Sequence, residues 1–326
     1  MAINPDLHLR VAGTGVYLPK KIISNDAFVG KDLFKYDEDE KPVEKLQWTH
    51  EGISERMGIK ERRRASKKET PSFMGYHAAR MALDASGVSV DSLVGIIFAT
   101  LTEEVNFPNA AAKVGGRLGA RNCFATDIGD ACAGFVNGMI QANNSVLTRP
   151  GNYLVIAGEK LALYIDPTDY NSPLFGDGAG AVVLTPTESN LGIVGHDALC
   201  NPNDGNLRAL FKGKKYLRMP HGGKVLEEAV RSMMESAAVA KNYAGWDRAD
   251  VYVPHQANLR IINGIIKRSP GVKVFNNIER YGNMSAATCA IALHEALEEK
   301  VITEGKKVVI TSFGAGFSRA SVAIQF

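Results

Sequence analysis

Two stretches of this chain run through the same order of elements, and that duplication restricts the available folds more than any single motif. In the first, Val94-Gly-Ile-Ile-Phe-Ala-Thr leads through a turn into a helical stretch carrying Cys132, followed by Tyr153-Leu-Val-Ile-Ala-Gly and Gly180-Ala-Val-Val-Leu-Thr. In the second, Asp250-Val-Tyr-Val-Pro-His leads to a turn into a helix at Asn283, then Lys307-Val-Val-Ile-Thr-Ser and Ala320-Ser-Val-Ala-Ile-Gln-Phe. Short β-branched runs alternating with amphipathic stretches mark an α/β protein. A repeat this long points to a doubled domain and not to a solenoid, although chance similarity of two α/β patterns would look the same from spacing alone. The expected division is 1–187 and 188–326, with a seam near 186–191. Strands are expected over 94–100, 153–157, 180–184, 250–253, 307–311 and 320–325. Helices are expected over 72–86, 133–147, 224–240, 259–268 and 285–299. In the last of these, Ala286, Ala287, Ala290, Leu293 and Leu297 fall on one helical face.

The 326 residues, 45% hydrophobic and 22% charged, suffice for a large buried core. A formal net charge of +3 gives no case for nucleic acid as a partner, while leaving room for a local basic patch facing an acidic carrier. None of the four cysteines (Cys123, Cys132, Cys200, Cys289) lies in a CxxC pair or at metal-ligand spacing, so no metal is expected. The N-terminus lacks a basic segment followed by an apolar core, and no apolar run reaches the ~18–20 residues of a membrane span. The reading is a cytoplasmic, reduced enzyme with a thiol available for chemistry and no membrane partner. Residues 31–47 carry both charge signs around Pro42 and read as a solvated loop or short helix, or alternatively as a flap beside a substrate entrance.

Four motifs carry the chemistry. Gly129-Asp-Ala-Cys-Ala-Gly-Phe places Cys132 where a β-like run meets a helix start, whose free N–H groups and dipole favour an anion and are expected to lower the thiol pKa. On position alone, a small buried hydrophobe is the commoner fate of a free cysteine. Cys123, Cys200 and Cys289 lack this context and read as core residues, with Cys289 alone able to approach the site. Val253-Pro-His-Gln-Ala-Asn-Leu-Arg sets His255 at the carboxyl end of a buried strand, where α/β sheets present ligands. Tyr281-Gly-Asn-Met-Ser-Ala-Ala puts Asn283 at the place in the second half that Cys132 holds in the first. Ser312-Phe-Gly-Ala-Gly-Phe offers backbone N–H groups to a developing oxyanion.

The first three of these motifs together with Phe175-Gly-Asp-Gly-Ala-Gly-Ala resemble the β-ketoacyl-acyl-carrier-protein synthase III family, over nearly the whole chain. The resemblance implies an α/β, thiolase-like fold of two similar fused halves in a five-layered αβαβα arrangement, a homodimer, and no bound cofactor. It implies that Cys132 carries an acyl group from an acyl-CoA or acyl carrier, and that His255 Nε2–H and Asn283 Nδ2–H stabilise the enolate formed when malonyl-acyl-carrier protein loses CO₂. It further implies an oxyanion hole at the N–H groups of Cys132 and Ala315, and a Phe313 wall that disfavours the malonyl carboxylate. Phe107 and Phe175, with Leu210 as a further candidate, would line the acyl pocket, Phe107 reaching into the partner subunit. Arg56 and Asn258 would contact CoA or phosphopantetheine, and Arg260 and Lys267 would dock the acidic carrier. Asp177 is assigned to turn structure.

Three positions depart from the acetyl-CoA-using pattern. Gly52 stands at the adenine-stacking tryptophan, Tyr170 at the partnering arginine and Glu227 at a docking lysine. The expectation is therefore that the donor is another acyl-CoA or an acyl-carrier thioester, or that CoA is held differently. The competing functions are a same-fold condensing enzyme of specialised metabolism with a longer or unusual donor, an acyltransferase that stops after acyl transfer, and a non-catalytic partner subunit.

Overall fold

The computed structural model describes residues 6–37, 39–203, 208–209, 216–219 and 222–326. The first part of the chain builds β1 (His8–Tyr17), α1 (His50–Met57), α2 (Pro71–Ser86), β2 (Leu93–Ala99), α3 (Ala110–Leu118), β3 (Phe124–Ile128), α4 (Gly134–Ser145), β4 (Asn152–Lys160) and β5 (Asp177–Thr187). The remainder builds β6 (Gly192–Asn203), α5 (Gly222–Tyr243), β7 (Val251–Pro254), α6 (Leu259–Arg268), β8 (Lys273–Val274), α7 (Ala287–Glu298), β9 (Lys307–Gly314) and β10 (Gly316–Gln325). The two five-stranded sheets have orders β1-β5-β4-β2-β3 and β6-β10-β9-β7-β8, the same topology twice. In each, the strands opening onto helices are parallel (β2 with β3 and β4, β7 with β8 and β9), and the last two pairings are antiparallel.

Alternation of side chains along each strand explains the layering. In the first sheet Ile97, Ala99, Val155, Ala157, Val182 and Leu184 face a central core. Their neighbours Ile96, Phe98, Leu154, Ile156, Ala181 and Val183 pack against α2 and α3 on the other side. The second sheet presents Val253, Val308, Ile310 and Val322 to that same central core, and Tyr252, Val309 and Ala323 to α5 and α6. The central core is filled by α4 and α7, one from each part of the chain. The result is five layers, αβαβα. Sheets covered on both faces need near-continuous apolar strands, which is why these runs were conspicuous in the sequence.

Three expectations are corrected. Residues 31–47 form neither a loop nor a helix but a hairpin, Leu33–Tyr36 paired with Pro42–Leu46. Leu33, 1% exposed, anchors it in a local core, while two cross-strand pairs tie its strands together (Lys35–Glu44 at 2.7 Å, Lys45–Asp32 at 2.6 Å). Cys200 is exposed and not a core residue, and Cys123 is only half-buried, whereas Cys289 is buried as expected. Asp177 is no turn residue. It opens β5 fully buried and accepts hydrogen bonds from Ala65 N (2.8 Å) and Ala162 N (3.0 Å), tying two connecting segments to the sheet.

Candidate active site

Cys132 lies in the single 3-10 turn Ala131–Ala133 between β3 and α4. Ala131, at φ 44°, gives the chain its sharp change of direction there. Gly314, at the end of β9, meets this turn edge to edge. A Cβ on Gly314 would stand 3.0 Å from Cys132 N and 3.2 Å from Ala133 N, so any larger residue would push the two backbones apart by a few tenths of an ångström. Ala315 follows in the tight β9–β10 connection.

His255 follows β7 directly, its N–H bonded to Thr311 O of β9 at 2.8 Å. It is 2% exposed, and burial lowers its pKa to about 3, so the ring is neutral at physiological pH. Its Nδ1 lies 2.5 Å from Thr288 Oγ1 on α7. Asn283 is held by its backbone, which donates to Leu174 O (2.8 Å) and accepts from Gly176 N (2.9 Å). Gly282 before it, at φ 66°, is a further position that suits glycine. The Ser285 N–H donates to Asn283 Oδ1 at 2.8 Å, which identifies the oxygen end of the amide and leaves Nδ2–H available to a ligand.

Cys132, His255, Asn283 and Phe313 line one cavity of about 600 Å³. Its outer part is lined by Arg56, Asn258, Arg260 and Tyr170. Asn258 also caps α6, accepting from Arg260 N at 2.9 Å. Other expected residues fall elsewhere. Phe175 is buried in a neighbouring core and bridges to Asn283 through its backbone, the cavity wall there being Leu174. Phe107 is 84% exposed and outside the cavity. Lys267 sits in the last turn of α6, exposed and away from the cavity. Leu210 lies outside the described residues. Glu227 is exposed on α5.

The thiol contradicts the expected direction. Burial pushes Cys132 up to about 12; the Ser285 hydroxyl opposes this, while the nearby carboxylates Glu159 and Asp130 add to it. The cavity reaches the residue, which is otherwise largely buried. Desolvation outweighs the favourable helix start. Cys132 is therefore a protonated thiol at rest, and its proton must leave as the sulfur attacks.

Several residues at the site gave no signal in the sequence. The hairpin residues Lys35 and Tyr36 line the outer cavity. Trp48 stacks on Tyr170 (centroids 4.3 Å, 19°), donates Nε1–H to Tyr170 O at 2.9 Å, and lies under the Arg56 guanidinium. Trp48 thus supplies an aromatic face beside Gly52, where a Cβ would stand 3.1 Å from its ring. Arg56 Nη1 donates to the Tyr170 hydroxyl at 3.1 Å. One of only two tryptophans, set just before the α1 cap, was the available cue.

Glu159, at the end of β4, is completely buried and accepts from Thr102 Oγ1 (2.7 Å) and Leu101 N (3.2 Å). Burial raises its pKa from 4.5 to about 7. An acid whose folded pKa is raised binds more protons folded than unfolded, so its contribution to stability falls as pH rises from 4.5 through 7. His255, depressed, acts in the opposite sense from about 3 to 6.5. Comparing Glu159→Gln with the parent isolates the first effect. Between pH 5 and 8 the variant's Tm is expected to decline less steeply, and parallel Tm profiles would contradict this.

A cysteine, a neutral histidine and an amide donor converging between two topologically identical sheets define a thiolase-like condensing enzyme. Family models for 3-oxoacyl-[acyl-carrier-protein (ACP)] synthase III match residues 126–201, and for its C-terminal region residues 239–326. The chain is 38% identical to the β-ketoacyl-[acyl-carrier-protein] synthase III of Aquifex aeolicus, covering 97% of this chain and 99% of that one. The Geobacillus kaustophilus enzyme of the same name is 36% identical, covering 97% and 98%. The crystal structure of the Aquifex enzyme superposes with a TM-score of 0.87, at 36% identity over 98% of this chain and all 100% of that one. The priming β-ketosynthase of the R1128 polyketide pathway gives 0.88, at 31% identity over 97% and 96%. The chain belongs to the β-ketoacyl-[acyl-carrier-protein] synthase III family.

Proposed function

We propose that this chain joins an acyl primer, carried on Cys132, to malonyl-acyl-carrier protein, giving 3-oxoacyl-acyl-carrier protein and CO₂ and so initiating fatty acid synthesis. The observation that carries this reading is the convergence of Cys132, His255, Asn283 and Phe313 on one cavity. In loading, the Cys132 sulfur attacks the primer thioester, the S–acyl bond forms, the primer's own C–S bond breaks, and the cysteine proton ends on the departing thiol. Malonyl thioester then enters. Loss of CO₂ leaves an electron pair on the enolate, whose oxygen accepts from Asn283 Nδ2–H and His255 Nε2–H. Neutral donors suit this step, because CO₂ departure supplies the electrons and no base is needed. The α-carbon attacks the acyl carbon, and the resulting oxyanion lies against the N–H groups of Cys132 and Ala315. Collapse expels the Cys132 thiolate, which takes up a proton from water to restore the resting thiol. Phe313, 4% exposed, gives the malonyl carboxylate an apolar neighbour that favours its loss.

Phosphopantetheine or CoA would pass Arg56 and Asn258, with Arg260 and Lys267 contacting the acidic carrier. The exposed Phe107 side chain, with Val105 44% exposed beside it, supports a homodimer in which Phe107 enters the partner's acyl pocket. The two functional halves are taken as 1–187, bearing the nucleophile, and 188–326, bearing the histidine and asparagine. Among the described residues no helix is long and apolar enough to cross a membrane, and unpaired cysteines fit a reducing cytoplasm.

The similarity to a polyketide priming ketosynthase favours, as a second reading, a specialised pathway with a longer or unusual donor. One experiment tests both. The protein is incubated with a panel of acyl-CoA and acyl-carrier thioesters, its intact mass measured, and malonyl-acyl-carrier protein then added. A short-chain adduct that converts to 3-oxoacyl-acyl-carrier protein is expected. A long or branched adduct would favour the second reading, and no adduct from any donor would defeat the proposal.

A further inference from the structure

Resting on the function proposed above, we infer that Thr288 is a positioning residue that keeps the His255 proton on Nε2, the nitrogen that must donate to the malonyl thioester carbonyl. Thr288 is 1% exposed and sits in the first turn of α7. Its hydroxyl oxygen is 2.5 Å from His255 Nδ1 and 2.8 Å from Ser285 O. A hydroxyl has one proton, so it donates to one of these acceptors at a time. If it donates to Ser285 O, Nδ1 must carry the ring proton, and Nε2 can only accept. If it donates to Nδ1, the proton of the neutral ring is on Nε2.

The backbone decides whether the second arrangement leaves anything unsatisfied. Ser285 O also accepts from Thr288 N at 3.2 Å, so turning the hydroxyl toward the ring strips no buried carbonyl of its donor. The turn is therefore cheap, and Nδ1 gains a donor inside a dry core. The same short segment that fixes the amide orientation of Asn283, through Ser285 N, also provides the carbonyl beside Thr288. Both donors of the enolate clamp are thus oriented from residues 285–288, one through a backbone N–H and the other through a side-chain hydroxyl. A ring oriented this way requires no charge, only one well-placed neutral partner.

The test combines Thr288→Val, which keeps the shape and removes the hydroxyl, with Thr288→Ser, which keeps the hydroxyl. In ¹⁵N-histidine-labelled protein, the His255 ring, assigned by its loss in His255→Gln, is expected to show Nδ1 as the unprotonated nitrogen and Nε2 as N–H. Thr288→Val is expected to lose that pattern. Malonyl-acyl-carrier decarboxylation should fall about 10–100-fold, taking over the range seen for outer partners that orient metal-bound histidines. Acyl loading on Cys132 should be unaffected, and Thr288→Ser should restore both the spectrum and decarboxylation. A parent spectrum with the proton on Nδ1 would overturn the inference, as would Thr288→Val with parental decarboxylation. If the parent neither loads acyl groups nor decarboxylates malonyl thioester, the proposed function fails, and the spectrum still reports the tautomer.

Discussion

With Cys132 replaced by alanine, condensation is expected to fall by on the order of 10⁴-fold or more, because no alternative atom can hold the primer. Intact mass after exposure to acyl thioesters should show no adduct. Decarboxylation of malonyl-acyl-carrier protein should survive, since the anchors of the other two groups do not involve the sulfur. His255 is fixed by Thr311 O and Thr288, and Asn283 by Leu174 O, Gly176 N and Ser285 N. Removing the cysteine therefore separates the two chemical steps, leaving a carbanion with nothing to attack. A persisting adduct would transfer the nucleophile's role to another cysteine. Cys289 is the one to examine, being close enough to Cys132 for their charges to interact.

Asn283→Ala should produce the complementary result. The enolate would lose one of two donors in a water-poor cavity, a change that typically costs about 2.7–4 kcal/mol, or roughly 10²–10³-fold in rate. Decarboxylation and condensation should both fall by that factor while acyl loading proceeds, so the acyl-enzyme accumulates. Asn283→Asp should be at least as damaging, because it puts an acceptor where the enolate needs a donor. Equal losses in loading and decarboxylation would instead mean that Asn283 supports the fold of the site, for which its bridge to Phe175 gives a route.

The three central residues were legible in the sequence because each lies in a short, composition-biased motif just ahead of a helix, Cys132 and His255 directly after a strand and Asn283 after the helical turn Ile278–Tyr281. The doubled topology was legible because sheets covered on both faces demand apolar runs that stand out. What surrounds the three residues was not. Trp48 and Tyr170 lie 122 positions apart, and His255 and Thr288 lie 33 apart. No local pattern couples such residues. The 31–47 hairpin was hidden by its own charges, since cross-strand ion pairs and a loop rich in both signs have the same composition. The thiol was misjudged for a different reason. A helix start is visible in sequence, but the depth at which the sulfur is enclosed is a property of the packed whole, and here depth dominates.

The central layer built from α4 and α7 has a consequence for how the protein is made. Residues up to Thr187 complete the first sheet while its inner face still lacks α7 and the second sheet. During synthesis α4 can already pack over Ile97 and Val155, but the part of that face on β1 and β5 that α7 covers has no cover until the distant end of the chain emerges. Domains generally fold in the order in which they leave the ribosome. This chain must therefore carry a half-finished, water-exposed hydrophobic surface for the time it takes to translate the remainder. Its yield in a cell should depend on translation speed and on chaperones that shield that surface, more than its equilibrium stability would suggest.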